Sequence, residues 1–267
     1  MKEGNTMNET VLITGATNGI GLELAKIFAG KKYNLVLVAR NKKRLLKMKQ
    51  SFEKKFKIEV MVLSKDLTKE KAAKEIYDAV TDKQKQIDIL INNAGFGDFA
   101  LFHEADWEKL NHMVALNVTA LMNMTKLFVN GMIEREHGRI LNVASTAAFQ
   151  PGPMMAVYFA TKAYVLSFSE AIAEELEGSG VTVTALCPGP TSTGFEKAAA
   201  CENSKLFHSQ PPASAGKVAK YAYHSLMKGK VIAVHGWRNR IAVEAVRIAP
   251  RRVVRKIVKG VVGQKKI

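Results

Sequence analysis

The chain has 267 residues, 47% of them hydrophobic, and a formal net charge of +16. No apolar run approaches the ~20 residues of a membrane-spanning helix, and the two cysteines, Cys187 and Cys201, suggest neither a disulfide framework nor a metal set. The scattered histidines form no ligand spacing either. At this length a single α/β domain with a sizeable core is reasonable, and no linker, repeat or low-complexity tract divides it. The N-terminal segment, Met1 to Met7, is polar and lacks the apolar core of a signal peptide, so a cytoplasmic location is expected.

In chain order, strand-like runs fall at residues 11–14, 34–39, 58–63, 87–92, 139–143, 181–186 and 231–234. Helical stretches with charged faces, such as 41–57 and 69–86, separate them. Apolar strands alternating with helices predict a parallel sheet covered on both faces.

Between the first strand and a helical pattern lies Thr14-Gly-Ala-Thr-Asn-Gly-Ile-Gly21. Strand, glycine turn and helix form the setting in which a loop binds a pyrophosphate, because glycine permits the tight turn and the close backbone approach. The spacing departs from the common dinucleotide fingerprint. Further on, Tyr158 and Lys162 stand one helical turn apart in Val157-Tyr-Phe-Ala-Thr-Lys162. A phenol is a weak acid at neutral pH, and a lysine on the same helix face favours its phenolate. Such a tyrosine can exchange a proton with a carbonyl or alcohol oxygen. Cys187, at a strand end before Pro188, reads as a small buried hydrophobe.

These segments, with Asn92-Asn-Ala-Gly95, Asn117, Ser145 and Pro188-Gly189, occur in the order seen in the short-chain dehydrogenase/reductase family, which the chain resembles over about residues 9 to 235. The resemblance implies a single doubly wound, Rossmann-like α/β domain with a mostly parallel seven-stranded sheet. It also implies a nicotinamide cofactor and hydride transfer at a carbon–oxygen centre. Within it, Tyr158 is the general acid/base, and Lys162 lowers its pKa and holds the nicotinamide ribose. Ser145 positions the substrate oxygen, and Asn117 supports a proton relay. Gly15, Thr17, Asn18, Gly19, Ile20 and Gly21 belong to the phosphate-binding turn. Asp66 would lie by the adenine, and Asn93, Ala94 and Gly95 would line the cofactor. Pro188, Gly189, Thr191 and Thr193 would lie near the nicotinamide. The wording of Asn92 to Gly97 and Pro188 to Thr191 is similar to the branch with hydroxysteroid and long-chain 3-oxoacyl reductases.

The second strand ends at Ala39 and is followed by Arg40 rather than by the acidic residue that would hydrogen-bond a ribose 2′-hydroxyl. A planar guanidinium there suits a 2′-phosphate, so NADP(H) is the expected cofactor. After Pro188-Gly189 comes a polar, small-residue stretch to Pro212; in the family that the chain resembles this segment is a mobile substrate lid, and a loop of this length is often functional. Phe149, Met154, Met155, Phe195 and Phe207 are candidates for the walls of an apolar substrate pocket.

The charge is uneven. Residues 217–267 hold 14 Lys and Arg against one acid, Glu244, a net +13 that leaves only +3 for everything before them. After Pro250, placed as the first helical residue, apolar residues recur at helical spacing from Val253 to Val262, with Arg251, Arg252, Arg255, Lys256 and Lys259 between them. This basic amphipathic helix would lie on an anionic membrane surface, or dock on the body or on a second subunit. The chain thus divides into a catalytic domain, 1–235, and a basic helical extension, 236–267. A homo-oligomer, dimer or tetramer, is implied by the family. A nucleotide-binding regulator acting through the tail is the other class, and nucleic acid is disfavoured because the basic segment has no interleaved aromatics.

Overall fold

The computed structural model describes residues 9–195, 199 and 212–263. Its strands are β1 (Thr10–Thr14), β2 (Asn34–Ala39), β3 (Val60–Ser64), β4 (Ile89–Asn92), β5 (Gly138–Val143), β6 (Val181–Cys187), the short β7 (Thr191–Ser192) and β8 (Ala213–Ser214), and β9 (Ile232–Val234). Seven of them form one sheet in the order β3-β2-β1-β4-β5-β6-β9, while β7 and β8 pair separately. Every neighbouring pair in the large sheet is parallel. The sheet expected to be mostly parallel is therefore parallel throughout. Its order reverses between β1 and β4, and a doubly wound sheet binds ligands beyond its carboxyl edge at such a switch point.

The helices are α1 (Gly19–Gly30), α2 (Lys42–Phe56), α3 (Ala72–Thr81), α4 (Trp107–Val114), α5 (Leu121–Glu134), α6 (Ala156–Glu175), α7 (Ala215–Met227), α8 (Trp237–Ile248) and α9 (Arg251–Val262). Side chains alternate across each strand and so feed two cores. Val11 and Ile13 of β1 and Leu35 and Leu37 of β2 pack with Leu24, Phe28 and Phe52 from α1 and α2 and with Val218 and Leu226 from α7. Their neighbours Leu12, Val36 and Val38 pack on the opposite face with Ile76 of α3 and Met124 and Phe128 of α5. Each such side chain contributes roughly 1.5–3 kcal/mol on burial. Local chemistry sets the ends of the elements. The Asn41 carboxamide accepts the Arg44 amide at 2.9 Å to start α2, and Lys57 in the left-handed region (φ 55°) stops it.

The described residues after 235 do not form a core of their own. Val243 of α8 joins Leu121, Val165 and Cys187. Val254, Val258 and Val262 of α9 pack against Ala147, Met155 and Phe159. Pro250 precedes α9 as its cap rather than opening the first turn, where the sequence reading put it. No described helix is long and apolar enough to cross a membrane.

Candidate active site

The carboxyl edge of the sheet opens into one cavity of about 990 Å³, running from the glycine turn to the last turn of α9. At its first end Gly15 (φ 65°) and Gly19 (φ 52°) hold the left-handed conformation that the tight turn requires. A Cβ on Gly21 would overlap the Asn93 carboxamide and lie 2.5 Å from the Gly15 carbonyl oxygen. Only a residue without a side chain lets α1 start this close to β1 and β4.

Thr14 ties the turn to β4. Its hydroxyl donates to the Ile91 carbonyl at 3.2 Å and accepts the amides of Asn93 and Ala94, both at 3.0 Å. Asn93 donates its side-chain amide back to the Thr14 carbonyl at 2.9 Å and the Gly15 carbonyl at 3.2 Å. The chain from Thr191 to Gly194 roofs this end: a Cβ on Gly19 would meet Thr193 at 2.9 Å, and one on Gly194 would meet the Asn18 amide at 2.6 Å. Thr191 donates to the Gly189 carbonyl at 2.9 Å.

At the end of β2, Arg40 is exposed at the cavity rim and Asp66 faces the same space from behind β3. Burial alone would raise the Asp66 carboxyl. Hydrogen bonds from the Thr68 amide (3.1 Å) and hydroxyl (2.9 Å), with the charges of Arg40 and Lys69, outweigh it and hold the group below the usual carboxylate range. A groove of exposed backbone, glycines that leave no room for a Cβ, and a cation at the β2 end fits an extended dinucleotide.

α6 carries both Tyr158 and Lys162. Lys162 is buried, donates to the Val143 carbonyl at 2.7 Å, and holds its ammonium 5.8 Å from the centre of the Tyr158 ring. Burial pushes its pKa down to about 8, so the side chain is mainly charged at neutral pH and close to titrating. Tyr158 is half-buried on the cavity wall, and Gly97 lets its ring approach: a Cβ there would lie 3.2 Å from the ring and 2.7 Å from Phe195. The Ser145 hydroxyl caps the turn from Thr146 to Phe149 by accepting the Ala147 amide at 3.1 Å, and it points to the Pro188 carbonyl at 3.4 Å.

Asn117 sits in a π-helical turn (Ala115–Ala120) between α4 and α5. Such turns reorient a side chain within a helix and often mark functional positions. Here the carboxamide accepts the Phe96 amide at 3.1 Å and donates to the Phe96 carbonyl at 2.9 Å and the Thr161 hydroxyl at 3.1 Å. Thr161 donates in turn to the Tyr158 carbonyl at 2.7 Å. Asn117 therefore braces the segment after β4 and the helix of Tyr158 together.

Of the residues singled out from sequence, Gly15, Thr17, Asn18, Gly19, Ile20, Arg40, Asp66, Asn93, Ala94, Gly95, Ser145, Tyr158, Lys162, Pro188, Gly189, Thr191 and Thr193 all line this one cavity. Gly21 and Asn117 lie just behind its wall. The apolar wall differs from expectation. Met155 and Phe195 line it, but Phe149 packs with Val165 and Leu166, and Met154 faces a small separate recess beside Ala100. Both are drawn off by local packing: the Met154 carbonyl accepts the Ala100 amide at 2.9 Å. Phe207 and most of the expected lid lie outside the described residues. The remaining wall comes from Phe159 and from Val246, Val254, Ile257 and Val261 of the C-terminal helices. Their helical period is visible in sequence, but the surface that it would meet is not. Thr14, Gly97 and Thr161 were also missed as supports, although each belongs to or adjoins a motif already singled out.

Known proteins are similar to this chain. The human very-long-chain 3-oxoacyl-CoA reductase is 32% identical over 200 residues, 73% of this chain and 63% of that protein. An 11-beta-hydroxysteroid dehydrogenase of Pinus massoniana is 36% identical over 182 residues, 68% of this chain and 51% of that protein. The chain thus spans less than two thirds of the length of these relatives, which are of the branch expected from the motifs. Among solved structures, a short-chain dehydrogenase from Sphingobium yanoikuyae in complex with NADPH superposes with a TM-score of 0.80 at 28% identity, covering 97% of this chain and 98% of that one. The family model described as short chain dehydrogenase matches residues 9–203, and the chain belongs to the short-chain dehydrogenase/reductase family of oxidoreductases.

Proposed function

We propose that this chain is an NADP(H)-dependent oxidoreductase acting on an apolar carbonyl or alcohol, with Tyr158 as its general acid/base. The observation that carries the reading is the buried Lys162 ammonium beside Tyr158 on the wall of a cavity whose far side is aliphatic. In the reducing direction Tyr158 donates its phenolic proton to the carbonyl oxygen. Lys162, fixed by the Val143 carbonyl, lowers the energy of the resulting phenolate. The Ser145 hydroxyl donates to the same substrate oxygen and orients it, and Asn117 keeps Tyr158 and the segment after β4 in register. When bound, the nicotinamide supplies or takes up the hydride at the carbonyl carbon.

NADP(H) rather than NAD(H) is supported by Arg40 at the end of β2 and by the NADPH in the Sphingobium relative. The apolar substrate is supported by the aliphatic wall and by relatives named for long acyl chains and steroids. Residues up to 235 carry the chemistry, and 236–267 act as a basic extension that forms the rim of the substrate end and adheres to anionic membrane on the cytoplasmic side. We include in the proposal a homo-oligomer, as in the family. Turnover of NADPH with a panel of apolar ketones, aldehydes and 3-oxoacyl thioesters tests it. Tyr158→Phe should lose on the order of 10²–10⁴-fold in rate while still binding NADPH. Tighter binding of NADH than NADPH would overturn the cofactor assignment. Tight NADPH binding with no turnover across the panel would favour a nucleotide-dependent regulator instead.

A further inference from the structure

We propose that α8 and α9 form a docking surface for an anionic lipid bilayer and that the substrate pocket opens within that surface, so that apolar substrate passes from membrane to active site without crossing water. The proposal rests on the reading of the aliphatic end of the cavity as the substrate site.

The pocket mouth is identified by residues that line the cavity and also meet solvent. Ile257 and Val261 do both, at 58% and 42% exposure. One turn away on the same helix, Val254, Val258 and Val262 are buried against the body. α9 is thus the rim of the pocket rather than a lid laid over an already closed wall.

The outward faces of both helices are mixed in a way that water does not favour. On α8, Trp237, Ile241 and Ile248 recur on one helical stripe, with Trp237 67% and Ile248 88% exposed. On α9 the exposed Val253 and Ile257 stand among Arg251, Arg252, Arg255, Lys256 and Lys259, all exposed. The only acid in the two helices, Glu244, is engaged with Arg247 at 3.5 Å. The guanidinium of Arg240, by contrast, reaches back to the Val234 carbonyl and the Tyr221 hydroxyl, which leaves the basic charge of the outer face to the others.

Charge and apolarity together select the occupant. A bilayer surface offers phosphates to the cations and an acyl boundary to the isoleucines and the tryptophan at one plane. A second copy meeting this face symmetrically would set the same cations against one another. Nucleic acid would satisfy the cations but leave the aliphatic stripe in water.

The chain has two tryptophans, so Trp107→Phe leaves Trp237 as the sole reporter. Its emission should shift to the blue on vesicles of phosphatidylcholine with phosphatidylserine, and far less on phosphatidylcholine alone. The combined variant Arg252→Gln, Arg255→Gln, Lys256→Gln and Lys259→Gln should weaken that binding by on the order of a hundredfold or more. None of these four side chains lines the cavity. With a ketone dissolved in the vesicles, anionic lipid should raise turnover of the parent chain and not of the variant, while a short water-soluble ketone should be reduced equally by both. Equal binding to both vesicle types, or unchanged binding of the variant, would overturn the docking surface. So would light scattering that finds a dimer which the variant splits, since the face would then belong to a second copy. Vesicle binding without turnover of any ketone would instead overturn the reductase reading, and with it the delivery of substrate.

Discussion

At the β1 end of the cavity the wall is backbone, whereas at the α9 end it is aliphatic side chain. Thr14, Asn93 and the amide of Ala94 hold the first end together with directional hydrogen bonds of 2.9–3.0 Å. Val254, Val258 and Val262 pack the second end against Ala147, Met155 and Phe159. Directional backbone packing tolerates almost no change in shape, because neither partner can rotate away. Aliphatic packing loses free energy in proportion to the atoms removed and keeps its geometry roughly intact. The first end is therefore expected to bind one ligand type rigidly, and the second to set a tolerance for substrates.

The harshest way to break this comparison is Gly21→Val. Its side chain would have to occupy the positions of the Asn93 carboxamide and the Gly15 carbonyl. We expect NADPH affinity to fall by at least two orders of magnitude and stability by about 1–3 kcal/mol, the usual cost of overpacking. Isothermal titration beside a thermal melt would measure both. Retained affinity would mean that the turn adapts, and the contrast between the two ends would disappear.

Lys162 tests the hinge between them through pH. Burial lowers its pKa to about 8 from the ordinary lysine value of 10.5. The unfolded chain then binds more protons than the folded one between those two values, so stability attributable to this group rises with pH from about 8 to 10.5. Below 8 the cost of burying the ammonium is fully present. In the cofactor-free protein, Lys162→Met should flatten the slope of stability against pH in that window, which urea titrations at a series of pH values would read. Turnover has the opposite sign. On the proposed mechanism, as pH rises through about 8 Lys162 loses the charge that would support a Tyr158 phenolate, and the reduction rate should fall. An unchanged stability slope in the variant would show that Lys162 is not desolvated in solution.

The same contrast explains what was legible in the sequence. The strands could be read as largely apolar runs, of which the central β1 and β4 are buried at every position while the edge strands β3 and β9 are partly exposed, and the glycine turn because its backbone demands leave a mark in residue type. Tyr158 and Lys162 were legible from a spacing of one helical turn. The π-helical turn at Asn117 left no such mark, since Ala115 to Ala120 reads like any helix, and its hydrogen bonds join residues far apart in the chain. The aliphatic wall of the cavity was least legible. Phe149 and Met154 lie near the active site in sequence yet point elsewhere, while α9, about a hundred residues later, supplies the wall. Aliphatic residues are interchangeable in composition, and only the path of the chain decides which of them meet.

At the aliphatic end, Val258→Ala removes two buried methyl groups from the contact of α9 with the body. A loss of about 1–2 kcal/mol in stability is expected. KM for an apolar ketone should rise, with NADPH affinity unchanged. A parallel loss of NADPH affinity would show that the two ends are mechanically coupled and that the α9 packing transmits to the glycine turn.

The smallest effect should come from the place where the C-terminal helices touch the cofactor side. Asn239 of α8 donates to the His235 carbonyl at 2.7 Å, and its carboxamide lies where a Cβ on Gly189 would be, 2.6 Å from the amide nitrogen. It props the Pro188–Gly189 corner, from which Thr191 hangs by its hydrogen bond to the Gly189 carbonyl. Asn239→Ala removes this prop and one partly exposed hydrogen bond, a loss of about 1 kcal/mol. Spread over the corner, that should appear as a few-fold weaker NADPH binding with kcat nearly intact. Because the remaining hydrogen bonds of the glycine turn do not involve α8, a much larger loss would mean that the corner, rather than the turn, sets cofactor affinity, and the rigid end of the cavity would have to be extended to include the tail.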